Sequence, residues 1–198
     1  MKRGFMWDTL LGLMAGIGLS AASGFRVFVP LLVMGIAANN GQLTLAPGFE
    51  WIGNPMAIFI FGAATVFEVL GYFIPWFDNL LDTVATPAAV VAGTIITGSF
   101  LTGLDPSLQW TLALIAGGGS AGVVQGLTTM TRATSTATTG GLGNPAVSTA
   151  EVIGASVLAG IAVFWPYIAV ALVALLFFVF IRKWMNKRRA AAAPKDGA

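Results

Sequence analysis

The sequence predicts an all-α, polytopic transmembrane helix bundle of about six spans, and three observations carry that prediction. Hydrophobic residues make up 57% of the 198, charged residues only 9%, and the mean hydropathy is +0.85. A soluble domain of this size cannot bury so much apolar surface in one core, so that surface must meet lipid. In lipid the backbone must satisfy its own hydrogen bonds, which leaves helices or closed barrels, and the apolar runs are too long for barrel strands. The apolar runs also number about six, most of them near the roughly 20 residues that a span requires.

Taken in order, the first segment runs from Leu10 to Ala38. At about 1.5 Å per residue it overshoots a bilayer of about 30 Å, and it holds Gly12, Gly16 and Gly18, then Ser20 to Arg26, then Pro30 and Gly35. It is expected to break or re-enter. The second segment, Pro55 to Phe77, and the third, Leu80 to Leu104, are of span length. The fourth, Leu108 to about Met130, is Gly-rich from Ala116 to Gly122 and then runs into a Thr/Ser tract, Thr128 to Thr139, so it too is expected to break. The fifth covers Ala146 to Trp165. The sixth, Pro166 to Ile181, is the shortest; joined to the fifth or split further, it would make the count five or seven. Asn39-Asn40-Gly41, Pro47-Gly48 and Asp105-Pro106 supply turn chemistry between segments.

Charge sets orientation. Arg182, Lys183, Lys187, Arg188 and Arg189 follow the last apolar run, and Lys2 and Arg3 precede the first. The positive-inside rule then puts both termini in the cytoplasm and requires an even number of crossings. The basic cluster reads as a topology anchor touching anionic lipid, in preference to nucleic acid. The first apolar run continues far past a signal-peptide core, so it is expected to stay in the membrane.

An internal repeat is also expected. Gly53-Asn54-Pro55 opens the second segment and Gly143-Asn144-Pro145 the fifth, with Pro75 and Pro166 at nearly equal distances downstream. The halves are 1–104 and 105–185, followed by 186–198 as a basic and then disordered tail. Three crossings in each half make the second half upside down relative to the first, the inverted-repeat plan of many secondary transporters.

The sequence has no cysteine and no histidine, which removes disulfides, thiol chemistry and the usual transition-metal ligands. No P-loop, dinucleotide fingerprint or nucleophile–base pair appears, so neither a cofactor, a metal nor an enzymatic activity is expected. Function must rest on polar groups inside spans, each of which demands a partner or a wet cavity. Arg26 and Arg132 are the candidate binding cations, for an anionic or zwitterionic ligand or for a fixed carboxylate; an ion pair of Arg26 with Glu68 or Glu151 is the structural alternative. Ser23, Gln125, Thr131, Ser135 and Asn144 complete the candidate binding set, their hydroxyls and amides replacing a ligand's hydration.

Glu68, Asp78, Asp82 and Glu151 are the candidate proton- or ion-coupling residues. Glu68 lies mid-segment, where an unpaired carboxylate could take up and release a proton as coupling demands. Asp78 and Asp82 are one helical turn apart and share a face near the membrane boundary, where a plain capping or solvated role competes with ion handling. The Thr/Ser tract is read either as a hydrated path or, if it lies outside the membrane, as a flexible loop. The pairs Gly12/Gly16 and Gly118/Gly122 make small-residue faces that close this chain or a homo-oligomer.

The runs SAASGFRVFVPLL (Ser20 to Leu32), FEVLGYFIPWFDNLLD (Phe67 to Asp82) with Pro87, and TRATSTATTGGLGNP (Thr131 to Pro145) together resemble a family of small bacterial integral membrane proteins catalogued only as a domain of unknown function. The most specific part is Ile74-Pro75-x-x-Asp78-x-x-x-Asp82. Where the resemblance implies an Asp-Lys pair before Ile-Pro, this chain has Gly71, Tyr72 and Phe73, so no charge role carries over there. It implies a bacterial inner-membrane location and supplies no activity. The residues themselves lead us to expect a small transporter or channel-like protein for a small anionic or polar solute. The alternatives are a protein that binds or moves an anionic lipid headgroup, and an accessory subunit whose charges are all paired.

Overall fold

The computed structural model describes residues 2–72 and 74–192. Among the described residues there is no strand and there are seven helices: α1 (Lys2–Ser23), α2 (Phe28–Asn39), α3 (Pro55–Gly71), α4 (Pro75–Gly98), α5 (Pro106–Thr139), α6 (Asn144–Phe164) and α7 (Pro166–Ala192). A short 3-10 turn, Glu50–Gly53, precedes α3. Among the described residues, three stretches are long and apolar enough to cross a membrane: Pro106–Thr139, Asn144–Phe164 and Pro166–Lys183. Thr9–Ser23, Phe28–Asn39, Pro55–Gly71 and Thr83–Gly98 are apolar but shorter.

Helix starts follow the turn chemistry of the sequence. Asn54 accepts the Met56 N–H at 3.0 Å and Asp105 accepts the Ser107 N–H at 2.9 Å, each capping a helix that opens on proline. Pro75 and Pro166 open α4 and α7, the first of these without a side-chain cap. Trp165 leaves helical geometry at φ −139° and ψ 66°, so α6 and α7 are separate helices meeting at Pro166. The left-handed residues Gly41 (φ 70°) and Gly48 (φ 88°) turn the chain between α2 and the 3-10 turn.

The first apolar segment breaks as expected, at Gly24 to Val27 between α1 and α2. A Cβ at Gly24 would run into the Ala121 carbonyl oxygen and Val124, so only glycine lets the break rest on α5.

The expected break in the fourth segment is corrected. α5 stays helical for 34 residues and absorbs its irregularity in a π-turn at Ala113–Gly118. The glycines serve close approach to α4. A Cβ on Gly117 would collide with the Gly93 carbonyl and Thr97, and one on Gly93 would lie 2.7 Å from both the Gly117 oxygen and the Ala121 Cβ. Ser20 of α1 closes this seam, donating to the Gly93 carbonyl at 2.7 Å and sharing a hydrogen bond of 2.9 Å with the Thr97 hydroxyl. The other small-residue faces also close this chain: Gly12 and Gly16 rest on Phe100 and Thr97, Gly118 and Gly122 on Thr94 and Val90. All four neighbours belong to α4 or its end, and α1 lies centrally against α2, α4, α5, α6 and α7.

Of the two readings of the Thr/Ser tract the loop falls away, since the tract is helix up to a left-handed C-cap at Gly140. The basic C-terminal stretch continues α7 as far as Ala192, because Lys, Arg and Ala are strong helix formers; the end of the expected tail, residues 193–198, lies outside the described ones.

Candidate functional site

The α1–α2 break turns Arg26 inward, and it is 1% exposed. Its Nη2 donates to the Glu151 Oε2 at 3.0 Å, to the Ser148 carbonyl at 3.2 Å and to the Ser148 hydroxyl. Arg132, on α5 and 4% exposed, converges on the same carboxylate: its Nε donates to Oε1 at 3.1 Å and its Nη2 to Oε2. Both guanidinium carbons lie over the Tyr72 ring, at 3.9 Å for Arg26 and 3.7 Å for Arg132. The break, α5, α6 and the end of α3 are therefore tied together by one carboxylate and one aromatic ring.

Burial makes this cluster costly unless every donor is met. Among the described residues, none accepts a hydrogen bond from the Arg26 Nε or Nη1. Such orphaned donors cost about 1–3 kcal/mol each when no acceptor reaches them.

Glu68 stands beside this cluster and serves a different end. Its Oε1 accepts the Val27 N–H at 2.8 Å and its Oε2 the Phe28 N–H at 3.1 Å. These are free N–H groups at the start of α2, so the carboxylate caps that helix, favoured by its dipole, and fixes the break that carries Arg26. It is not the unpaired carboxylate considered from sequence. Of the two acidic partners considered for Arg26, the hydrogen-bonded one is Glu151.

The remaining candidates scatter. Ser23 donates to the Ser20 carbonyl at 2.7 Å and lies 3.5 Å from the Ala89 carbonyl, in the seam between α1 and α4. Gln125 is buried one turn before Thr129, whose hydroxyl is 3.5 Å from its Nε2. Thr131, Thr134 and Thr138 each donate to the carbonyl four residues earlier, at 2.9 Å. Ser135 accepts from Thr139 through its carbonyl at 2.7 Å, and Asn144 donates to the Thr136 hydroxyl at 3.0 Å, both away from the cluster. Asp78 and Asp82 lie outside the residues whose side chains are described.

Tyr72 and Ser148 belong to the site and were not singled out from sequence. Tyr72 follows Glu68 by one helical turn, and Ser148 precedes Glu151 by three residues on one face of α6; that spacing was the available cue.

A groove of about 210 Å³ between α5, α6 and α7 reaches Glu151, with Phe25, Thr128, Thr131, Ala150 and Leu176 among its walls. The cluster thus combines buried cationic donors with an acidic acceptor that lines a groove. No group of His, Cys, Asp or Glu among the described residues could hold a metal ion.

The family described as "Domain of unknown function (DUF4126)" matches residues 13–186, and the chain belongs to it. No curated protein matches the chain, and no solved structure does.

Proposed function

We propose that this member of the family is a small, non-enzymatic membrane transporter or channel-like protein that binds a small anionic or polar group at the Arg26–Arg132–Glu151 cluster. The observation that carries this reading is Arg26: a guanidinium 1% exposed, held under a groove that reaches its partner carboxylate, with Nε and Nη1 lacking acceptors. A ligand oxygen entering there replaces Glu151 on one guanidinium and meets the orphaned donors, so exchange gains hydrogen bonds. With both arginines closed on Glu151, the conformation described is the shut one.

The topology in this proposal has six crossings: the broken α1–α2 pair, then α3, α4, α5, α6 and α7. Both termini are cytoplasmic in a bacterial inner membrane. The basic end of α7 supports that orientation. The matched openings of α3 at Pro55 and α6 at Pro145, and of α4 at Pro75 and α7 at Pro166, support two inverted halves.

One observation favours a second reading, an accessory subunit: Glu151 already ion-pairs both arginines, as a structural staple would. Proteoliposomes separate the two. In the transporter reading, the chain releases trapped phosphate or acetate faster than empty liposomes do, and Arg26→Met abolishes the difference. Release equal to empty liposomes for both anions, with the protein folded, overturns transport of small anions.

A further inference from the structure

We infer that the group bound at the two-arginine site is the phosphate of a membrane phospholipid, one of whose acyl chains lies along a groove between α6 and α7. This rests on the reading above that the arginines hold an anionic or polar ligand, and names its class.

The groove at Glu151 does not end there. Past Phe25 and Leu176, which wall both, lies a second hollow of about 270 Å³ walled by Val157, Ile161, Leu172 and Val173. Together they follow one stripe of α6 from Val147 to Ile161, about 21 Å of helix. Polarity is confined to one end, where Thr128, Thr131 and Glu151 line the groove and Glu151 in turn holds the two guanidinium groups. The other end is apolar. A ligand complementary to this shape is an amphiphile with a compact, acceptor-rich head and a long apolar tail.

The groove also opens sideways. Val157 and Leu172 on its rim are exposed, and the apolar span of α7 is only 11% buried, so the mouth faces the apolar flank of the bundle. A phospholipid already lies in that flank, so its acyl chain reaches the apolar hollow without crossing water. A packing helix from a second copy would fill the apolar end but would bring no acceptor to the orphaned Arg26 donors. A phosphate brings several.

Gly154 gives the test. It lines the apolar hollow, and a Cβ added there meets nothing within 4 Å, so a larger side chain occupies the groove without disturbing the fold. Gly160, on the same helix with equal freedom, does not line the groove and serves as control. The delipidated full chain in detergent is titrated with dioleoyl phosphatidate, dioleoylglycerol and inorganic phosphate, and binding is read by native mass spectrometry. The expected result is saturable binding of phosphatidate, at least tenfold weaker binding of the other two, and at least a tenfold loss for Gly154→Leu with none for Gly160→Leu. Inorganic phosphate binding as tightly as phosphatidate, or unaltered phosphatidate binding in Gly154→Leu, overturns the lipid assignment while leaving the arginine site standing. Absence of binding by both phosphate and phosphatidate in the unmodified chain overturns the site along with it.

Discussion

Arg26 and Glu151, 125 positions apart in sequence, meet at 3.0 Å inside the bundle, and Arg132 closes on the same carboxylate. One acidic side chain therefore bridges two buried cations, one in the α1–α2 break and one on α5. Glu151→Gln removes that charge and leaves both guanidinium groups buried. Loss of one partner of a buried pair costs about 3–5 kcal/mol, so denaturation in detergent should show a drop of that size. A loss below about 1 kcal/mol would mean that the cluster is solvated.

Glu68 acts through the backbone. Glu68→Ala should cost about 1–2 kcal/mol, as other cap removals do, and should speed hydrogen exchange at the Val27 and Phe28 amides more than elsewhere in α2. Unchanged exchange at those two amides would remove the cap from the account.

The glycines of α5 divide by what they face. Gly117→Ala forces a methyl group into the Gly93 carbonyl and Thr97 and should destabilise by about 1–3 kcal/mol. Gly126→Ala meets open space inside a helix and should stabilise by about 0.5–1 kcal/mol. Melting temperatures of the two variants should move in opposite directions.

This contrast marks the limit of what the sequence discloses. A Gly-rich run followed by an arginine looks alike at Ser20 to Arg26 and at Ala116 to Arg132, yet the first is a break and the second a close helix crossing with a π-turn. What differs is the partner: Gly24 meets α5 where the chain must turn, while Gly117 and Gly93 bring two continuous helices together. The buried charges were legible because lipid makes each of them demand a partner, and pairing of Arg26 with Glu151 was one of the alternatives. The Glu68 cap was not legible, because it joins positions 41 and 40 residues apart through backbone groups that carry no residue signature. Tyr72 escaped notice for a related reason: its ring is placed by the end of α3, not by any local pattern.

The hydroxyl tract makes a negative prediction. Thr134 and Thr138 donate to their own helix and are exposed. Thr134→Val and Thr138→Val together should leave ligand binding at the arginine cluster within about twofold, since less than about 0.5 kcal/mol per exposed site is expected. A larger loss in titrations with phosphatidate or phosphate would extend the site along α5.

Mass spectrometry of what copurifies with the chain tests whether Arg26 and Arg132 hold an acidic ligand inside the bundle, comparing the unmodified protein with Arg26→Met and Arg132→Met prepared identically. The expected result is about one anionic molecule per unmodified chain, lost from both variants while zwitterionic bulk lipid is unchanged. The same anion content in all three proteins, each still folded, would contradict it.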